Sequence, residues 1–152
     1  MFYLSQKLES TFVEIKFKGK KNIIAGCVYK HPKMCIDEFN SLFEPLLEKL
    51  SKENKQLYFL GDFNIDLLKI DDPSDGGKIE DFYNLLCSHF LVPHINIPTR
   101  ITSTSATLID NIFSNNLDFT QSISRNLTVS ISDHLPQFLL VPHKKVEIPK
   151  KK

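Results

Sequence analysis

The order in which the hydrophobic period changes along the chain limits the possible folds more than any other feature. Apolar and polar residues alternate over residues 12–18, and residues 23–29 form a more continuously apolar run. Both patterns are typical of β-strands, the first of them half-buried. Residues 36–52 then place apolar side chains at helical spacing, and residues 79–90 do so again. Strands that alternate with helices, followed by several strands in a row, predict a mixed α/β or α+β layered fold.

The segments between these patterns add local detail. Asp37 is the predicted N-cap of the first helix, and Pro45 lies inside that helix, where we expect it to kink the helix or delay its start. Leu57–Leu60 is a short apolar run that predicts a strand covered on both faces. Three further strand patterns are broken by Ser-, Thr- and Asn-rich turns and lie near residues 92–97, 107–113 and 134–141.

Composition narrows the class of protein. A chain of 152 residues fits one domain, and 41% hydrophobic with 24% charged residues is an ordinary globular mixture, which excludes a disordered chain. No apolar run approaches the roughly 18 residues that a membrane span requires, and the first ten residues lack a signal-peptide pattern. The three cysteines have no CxxC spacing. They are typical of reduced thiols in an intracellular protein, nuclear or cytoplasmic.

The total charge of the chain is close to zero, but the charged residues are unevenly distributed along the sequence. The formal net charge is +1, yet residues 144–152 hold five lysines and one glutamate, which leaves 14 basic and 17 acidic residues in 1–143. We therefore expect one domain over residues 1–143 and a basic disordered tail over residues 144–152. A slightly acidic body that handled nucleic acid would need local contacts and a cation, because bulk attraction is absent.

Polar side chains follow the apolar run Leu57–Leu60 at the point where the strand should end. In an extended chain Asp62 and Asn64 point the same way, so a carboxylate and a carboxamide emerge together. In α/β sheets ligand sites lie at the carboxyl ends of strands. A capping or turn role for Asp62 is an equally good interpretation of this motif alone.

Two later motifs also place charged groups in apolar strands. Asp110 shares a strand face with Leu108 and Ile112, where a carboxylate must be paired or lose its charge. The alternative is a structural aspartate bonded to backbone N–H groups. His134 is the only one of the five histidines next to a carboxylate, that of Asp133. Together the three motifs suit general base catalysis with a divalent cation.

These motifs, in this order, resemble the endonuclease/exonuclease/phosphatase superfamily. The segments that carry the resemblance are Gly-Asp-Phe-Asn at 61–64, Leu-Ile-Asp-Asn-Ile-Phe at 108–113 and Ser-Asp-His-Leu-Pro at 132–136. Residues 28–32 resemble the family's Tyr-Arg-x-Pro turn, and residues 98–102 resemble the segment before its Ile-Asp-x-Ile-Phe strand. The resemblance covers about residues 11–141 and is closest to the apurinic-type endonuclease domain of non-LTR retrotransposons.

The resemblance implies a fold and a reaction. The fold is the family's four-layer α+β sandwich, here incomplete. The reaction is hydrolysis of a phosphodiester in DNA with Mg²⁺ or Mn²⁺, in an enzyme that contacts the DNA phosphate backbone and was once fused to a reverse transcriptase.

The resemblance also implies roles for individual residues. His134 is polarised by Asp110, and Asp62 orients or deprotonates the attacking water. Asn64 and Tyr29 hold the phosphoryl oxygens, although the family's arginine after that tyrosine is a lysine here. The remaining assignments are a metal ligand, Asp133, and two contacts to DNA phosphates, Thr99 and Arg100. For Thr99 and Arg100, a position in a surface loop without contact to DNA is an equally good interpretation.

One part of the family pattern is missing. The family opens with a strand that carries an asparagine and a strand that ends in Gln-Glu, whose glutamate binds the metal. No Gln-Glu occurs in this chain. We therefore expect the chain to match the C-terminal part of the domain, to bind metal weakly and to leave an apolar sheet face uncovered. Three interpretations stay open: an active endonuclease, an inactive remnant of one, and a family phosphatase acting on a small or lipid phosphate.

Overall fold

A computed structural model describes residues 2–4, 8–117, 122–129 and 131–142 of the protein. Over these residues the chain forms ten strands: β1 (Phe2–Leu4), β2 (Glu9–Ile15), β3 (Ile23–Tyr29), β4 (Gln56–Asp62), β5 (Val92–Pro93), β6 (Arg100–Ile101), β7 (Ala106–Thr107), β8 (Asp110–Ser114), β9 (Ile123–Asn126) and β10 (Gln137–Leu140). Two α-helices accompany them, α1 (Ile36–Ser51) and α2 (Lys78–Ser88), and two short 3-10 helices cover Leu67–Lys69 and Pro73–Asp75. The predicted tail, residues 144–152, lies outside the described residues.

Most of the strands belong to one mixed sheet. Its order is β1-β2-β3-β4-β8-β5, while β6 pairs with β7 and β9 pairs with β10 in two small sheets. Only the β3–β4 pair of the large sheet is parallel, and α1 makes the crossover between these two strands. The predicted fold class, an α+β layered sandwich, is confirmed by this arrangement. Among the described helices, none is long and apolar enough to cross a membrane.

The core between the helices and the sheet consists largely of phenylalanine. Six buried rings contact one another with centroids 5.1 to 6.3 Å apart: Phe39, Phe43, Phe59, Phe63, Phe82 and Phe113. Edge-to-face and tilted pairs at this spacing are the favoured geometries of aromatic side chains. Phe63 lies between Asp62 and Asn64 in the sequence, so the packing of its ring anchors the turn that carries these two polar residues.

The first helix occupies the predicted segment, but its details differ. Cys35 is the N-cap, and its Sγ accepts the N–H three residues later. The prediction of Asp37 as N-cap was therefore wrong; its carboxylate lies in the first turn, 2.7 Å from Nζ of Lys78. The helix continues through Pro45, which is exposed. At an exposed position water can bond the carbonyl that proline leaves without a helical donor.

Several strand predictions also need correction. The strand predicted near 107–113 is divided, since β7 ends at Thr107 and β8 begins at Asp110, and the strand predicted near 92–97 is only the short β5. β2 begins and ends three residues before the predicted 12–18, because the Asn22 amide organises the turn by bonding Phe17 N–H and the Glu14 carboxylate. The strand predicted at 57–60 is not covered on both faces, since Leu60 is 53% exposed.

Leu60 belongs to a broader uncovered surface of the large sheet. It pairs with Cys27, and Ile23 pairs with Ile15, so side chains of three adjacent strands share this face. Cys27 is exposed, and Ile15 is 38% exposed. We call the surface formed by Ile15, Ile23, Cys27 and Leu60 the open face; it is the side of the sheet opposite the phenylalanine core.

Candidate active site

The ends of three neighbouring strands bring together residues from separate motifs. Tyr29 is in register with Asp62 across the β3–β4 pair, and Asp62 is in register with Asp110 across the β4–β8 pair. β3 and β4 end at this edge, and the antiparallel β8 begins there. The sheet topology therefore places one tyrosine and two carboxylates in a row.

His134 reaches this row from the loop before β10. Its Nδ1 lies 3.0 Å from Oδ2 and 3.1 Å from Oδ1 of Asp110, so the predicted proximity of the two is confirmed. The carboxylate of Asp110 can only accept, so Nδ1 is the donor, and Nε2 is the acceptor of a neutral ring. Asp110 is 9% exposed, and the imidazole partner offsets the cost of burying its charge.

Asp62 completes the group. Its half-burial raises the pKa of the carboxyl, and the negative charge of Asp110 raises it further, while the backbone N–H of Asn64 and the His134 ring lower it. One ligand atom from each of Asp62, Asp110 and His134 can be chosen so that all lie within 4.8 Å of one another. A carboxylate with a raised pKa in such a cluster is suited to act as a general base.

The turn after β4 is held by hydrogen bonds to the end of β3. Asn64 has φ of +48°, a left-handed conformation that asparagine tolerates. Its Nδ2 donates to the carbonyl of Lys30 at 2.9 Å, and its N–H donates to Oδ1 of Asp62 at 3.0 Å. One amide proton of Asn64 is thus used within the protein. Tyr29 is half-buried, with its ring edge-on to that of His31.

Asp133 forms an ion pair with Arg100. Its Oδ2 accepts from Nε of Arg100 at 2.7 Å, and this bond lowers the pKa of the Asp133 carboxyl. Both side chains are exposed. Asp133, the metal ligand implied by the resemblance, is therefore bound to a guanidinium and lies outside the Asp62–Asp110–His134 group. Its role as a ligand stays a prediction.

Thr99 lies elsewhere than the sequence analysis expected. Its side chain is fully buried, and Oγ1 accepts the backbone N–H groups of Ile109 and Asp110. A hydroxyl in this position is not available to a DNA phosphate. The sequence gives no local signal for this burial, because Thr99 follows a proline in a polar turn.

A buried lysine beside the site also escaped the sequence analysis. Lys30 is 2% exposed, and this burial lowers the pKa of its ammonium, while the nearby Asp62 opposes that shift. Its backbone N–H donates to the carbonyl of Asp62 at 2.9 Å. The signal was present: Lys30 stands where the family has the arginine of its Tyr-Arg-x-Pro turn.

The donor set fits a divalent cation. Carboxylate oxygens are the ligands that Mg²⁺ and Mn²⁺ prefer, and Asp62 and Asp110 supply them side by side. Their mutual repulsion, which contributes to the raised pKa of Asp62, is the kind of charge imbalance that a bound cation offsets. His134 uses Nδ1 to bind Asp110, so its part in the group is that of a hydrogen-bond partner.

Comparison with known proteins finds one matching family model and several structures of similar fold. A family model described as endonuclease-reverse transcriptase matches residues 23–138. No curated protein matches the sequence.

Three solved structures are similar in fold. The endonuclease domain of TRAS1, a telomere-specific non-LTR retrotransposon, has a TM-score of 0.67 at 19% identity, covering 86% of this chain and 60% of that one. An endonuclease/exonuclease/phosphatase family protein from Leptotrichia buccalis has 0.62 at 16% identity, with 88% and 53% covered. A mannosyl-6-phosphatase from Bacteroides thetaiotaomicron has 0.54 at 14% identity, with 87% and 57% covered. The chain thus spans little more than half the length of these structures.

Proposed function

Because the chain belongs to the endonuclease-reverse transcriptase family of the endonuclease/exonuclease/phosphatase superfamily, we propose that it is an endonuclease domain of retrotransposon origin that hydrolyses phosphodiester bonds in DNA with a divalent metal. The observation that carries this proposal is the hydrogen bond between His134 and Asp110, with Asp62 in the next strand. A base, an oriented imidazole and adjacent carboxylates are the groups that phosphoryl transfer to water requires.

In the proposed reaction Asp62 is the base. Its raised pKa brings the carboxylate closer to the operating pH, so that it can take a proton as the water oxygen bonds to phosphorus. The bond from phosphorus to the leaving oxygen then breaks, and the leaving oxygen takes a proton from the solvent. Asn64 and Tyr29 lie beside Asp62 and are proposed to bind the phosphoryl oxygens.

His134 is proposed to stabilise the negative charge that develops on the phosphoryl group. Asp110 holds the ring by Nδ1, which leaves Nε2 as the ring atom that can face the phosphoryl group. Nε2 stabilises negative charge there when the ring carries its second proton, because both ring nitrogens are then donors. The same arrangement of carboxylate and imidazole orients histidine in other hydrolytic enzymes.

A bound Mg²⁺ or Mn²⁺ would supply positive charge to the phosphoryl oxygens. Asp110 is the carboxylate proposed to hold it, with Asp133 as a further oxygen ligand once Asp133 leaves Arg100, so that Asp62 keeps its role as the base. Arg100, when released, is free to contact a DNA phosphate, as the resemblance implies.

A second candidate is a phosphatase acting on a small phosphate, which the structural likeness to a mannosyl-6-phosphatase favours. The Thr-Arg-Ile-Thr and Leu-Ile-Asp-Asn-Ile-Phe segments of the retrotransposon type argue against it. A third is an inactive remnant of the endonuclease.

One experiment separates these candidates. Residues 1–152 are incubated with supercoiled plasmid, and separately with mannose 6-phosphate, in Mg²⁺, in Mn²⁺ and in EDTA. Weak metal-dependent nicking that is lost in His134→Gln is the expected result. Phosphate release without nicking would favour the phosphatase. A folded wild-type protein that does neither would identify the chain as the inactive remnant.

A further inference from the structure

Thr99 contacts both segments that carry the Asp110–His134 pair. Its side chain is 0% exposed. Oγ1 accepts the backbone N–H of Asp110 at 3.0 Å and that of Ile109 at 3.2 Å. On the other side, the carbonyl oxygen of Thr99 accepts the N–H of Leu135 at 2.7 Å.

These contacts hold the two partners from opposite sides. Asp110 and His134 are 24 residues apart in the sequence, so their approach depends on what lies between them. Leu135 directly follows His134, and Arg100 directly follows Thr99 and forms a β-bridge with His134. The backbone of residues 99–101 therefore joins the start of β8 to the loop that carries His134.

We propose that Thr99 is a positioning residue for the Asp110–His134 pair. Its hydroxyl fixes the backbone of Asp110, and its carbonyl fixes the backbone next to His134, so that the ring is held as the Nδ1–H tautomer against the carboxylate. The role of this pair in hydrolysis rests on the function proposed above. The positioning itself is a property of the folded chain and can be measured without substrate.

The chemistry of the side chain explains why a threonine is suited to this position. One oxygen with two lone pairs satisfies two adjacent N–H groups in the protein interior, where unpaired donors are costly. The β-branch restricts χ1 and keeps that oxygen aimed at the start of β8. Valine has nearly the same shape but no acceptor, while serine keeps the acceptor and loses only a methyl group. The two substitutions separate positioning by hydrogen bonds from simple filling of space.

The test compares Thr99→Val and Thr99→Ser with wild type. Thr104→Val is the matched control, since Thr104 is exposed in the turn between β6 and β7. Nitrogen NMR of the His134 ring at alkaline pH reports the tautomer. We expect the Nδ1–H form to dominate in wild type, Thr99→Ser and Thr104→Val, and a mixture of both tautomers in Thr99→Val.

Kinetics give a second measurement. In Thr99→Val we expect kcat for plasmid nicking to fall about tenfold or more with KM nearly unchanged, because the residue touches no substrate. Thr99→Ser should restore kcat to within about threefold of wild type. A folded Thr99→Val with the wild-type tautomer and kcat would overturn the proposal. Absence of nicking in every protein, with the tautomers as expected, would count against the proposed function only.

Because Thr99→Val can fail to fold, one further measurement does not depend on that variant. If the hydroxyl holds both donors, the amides of Ile109 and Asp110 are protected from hydrogen exchange. The same amides should be protected in Thr99→Ser. Exchange of these two amides at the rate of an unstructured chain, in an otherwise protected sheet, would overturn the proposal.

Discussion

Nδ1 of His134 lies 3.0 Å from Oδ2 of Asp110, at the point where β8 begins beside the end of β4. The pair explains how the buried start of a strand holds a carboxylate. Asp110 loses most of its contact with water, and the imidazole supplies the hydrogen bond that a buried acceptor requires.

Asp110→Asn should lower the rate of plasmid nicking about 100-fold or more, because a neutral amide is a weaker acceptor for Nδ1 of His134 than a carboxylate and no longer orients the ring. Asp66→Asn is the matched control. Oδ1 of Asp66 accepts the N–H groups of Leu108 and Leu68, and the amide oxygen of asparagine can accept both. We expect near wild-type nicking in the control. Equal rates in the two variants would show that the pairing of Asp110 has no part in the reaction.

Asp62→Asn should make the fold more stable at neutral pH. Burial and Asp110 raise the pKa of the Asp62 carboxyl in the folded state, so the folded protein binds the proton more tightly than the unfolded chain. Stability therefore falls as the pH rises from the ordinary aspartate value through the raised one. An asparagine at position 62 does not ionise, so it removes this pH-dependent loss of stability. Its amide oxygen can still accept the N–H of Asn64.

The measurement is the difference in Tm between Asp62→Asn and wild type across pH. We expect no gain in Tm from this substitution at about pH 3, where the Asp62 carboxyl is largely protonated in both the folded and the unfolded protein. At about pH 7 we expect a gain in Tm. The Tm difference between Asp72→Asn and wild type at neutral pH should have the opposite sign, because the hydrogen bonds from Ser74 lower the pKa of the Asp72 carboxyl. A Tm difference for Asp62→Asn that does not change with pH would contradict the electrostatic explanation.

Gly61→Ala should disrupt the end of the β3–β4 pair. A Cβ at Gly61 would overlap the carbonyl oxygen of Val28 in the neighbouring strand, and a backbone atom cannot rotate away as a side chain can. We expect a lower Tm and weaker nicking together, because the strands that place Tyr29 and Asp62 must separate. Gly76→Ala is a comparison at a loop glycine with nothing near its Cβ, although its φ of +71° carries a local cost of its own.

Long periodic patterns and specific motifs made much of this structure predictable. The run at 23–29 is β3 residue for residue, and the helical pattern from Ile36 ends within one residue of its predicted end. The approach of Asp110 and His134 followed from the resemblance rather than from periodicity, because nothing local relates two segments so far apart.

The parts that could not be predicted depend on partners distant in the sequence. Arg100 and Asp133 form an ion pair across 33 positions, and neither neighbourhood indicates it. Thr99 is buried because two other segments close over it. Leu60 is exposed although the apolar run 57–60 predicts a strand covered on both faces. The run itself contains no information on whether another segment of the chain covers its second face.

The last prediction concerns the open face. Leu60, Cys27 and Ile15 expose apolar surface on three adjacent strands, and contiguous patches of this kind promote association. Burial of a leucine side chain contributes roughly 1.5–3 kcal/mol when complete, so a few half-exposed side chains are enough to favour weak self-association. Light scattering of residues 1–152 under reducing conditions, which exclude a disulfide through Cys27, should therefore show species larger than a monomer.

Leu60→Thr should reduce the fraction of these larger species, because threonine suits a strand and removes apolar area. Leu68→Thr is the matched control: this leucine is 48% exposed but lies in a short 3-10 helix after β4 rather than on the sheet. A monodisperse wild-type monomer, or equal effects of the two substitutions, would show that the open face does not drive association.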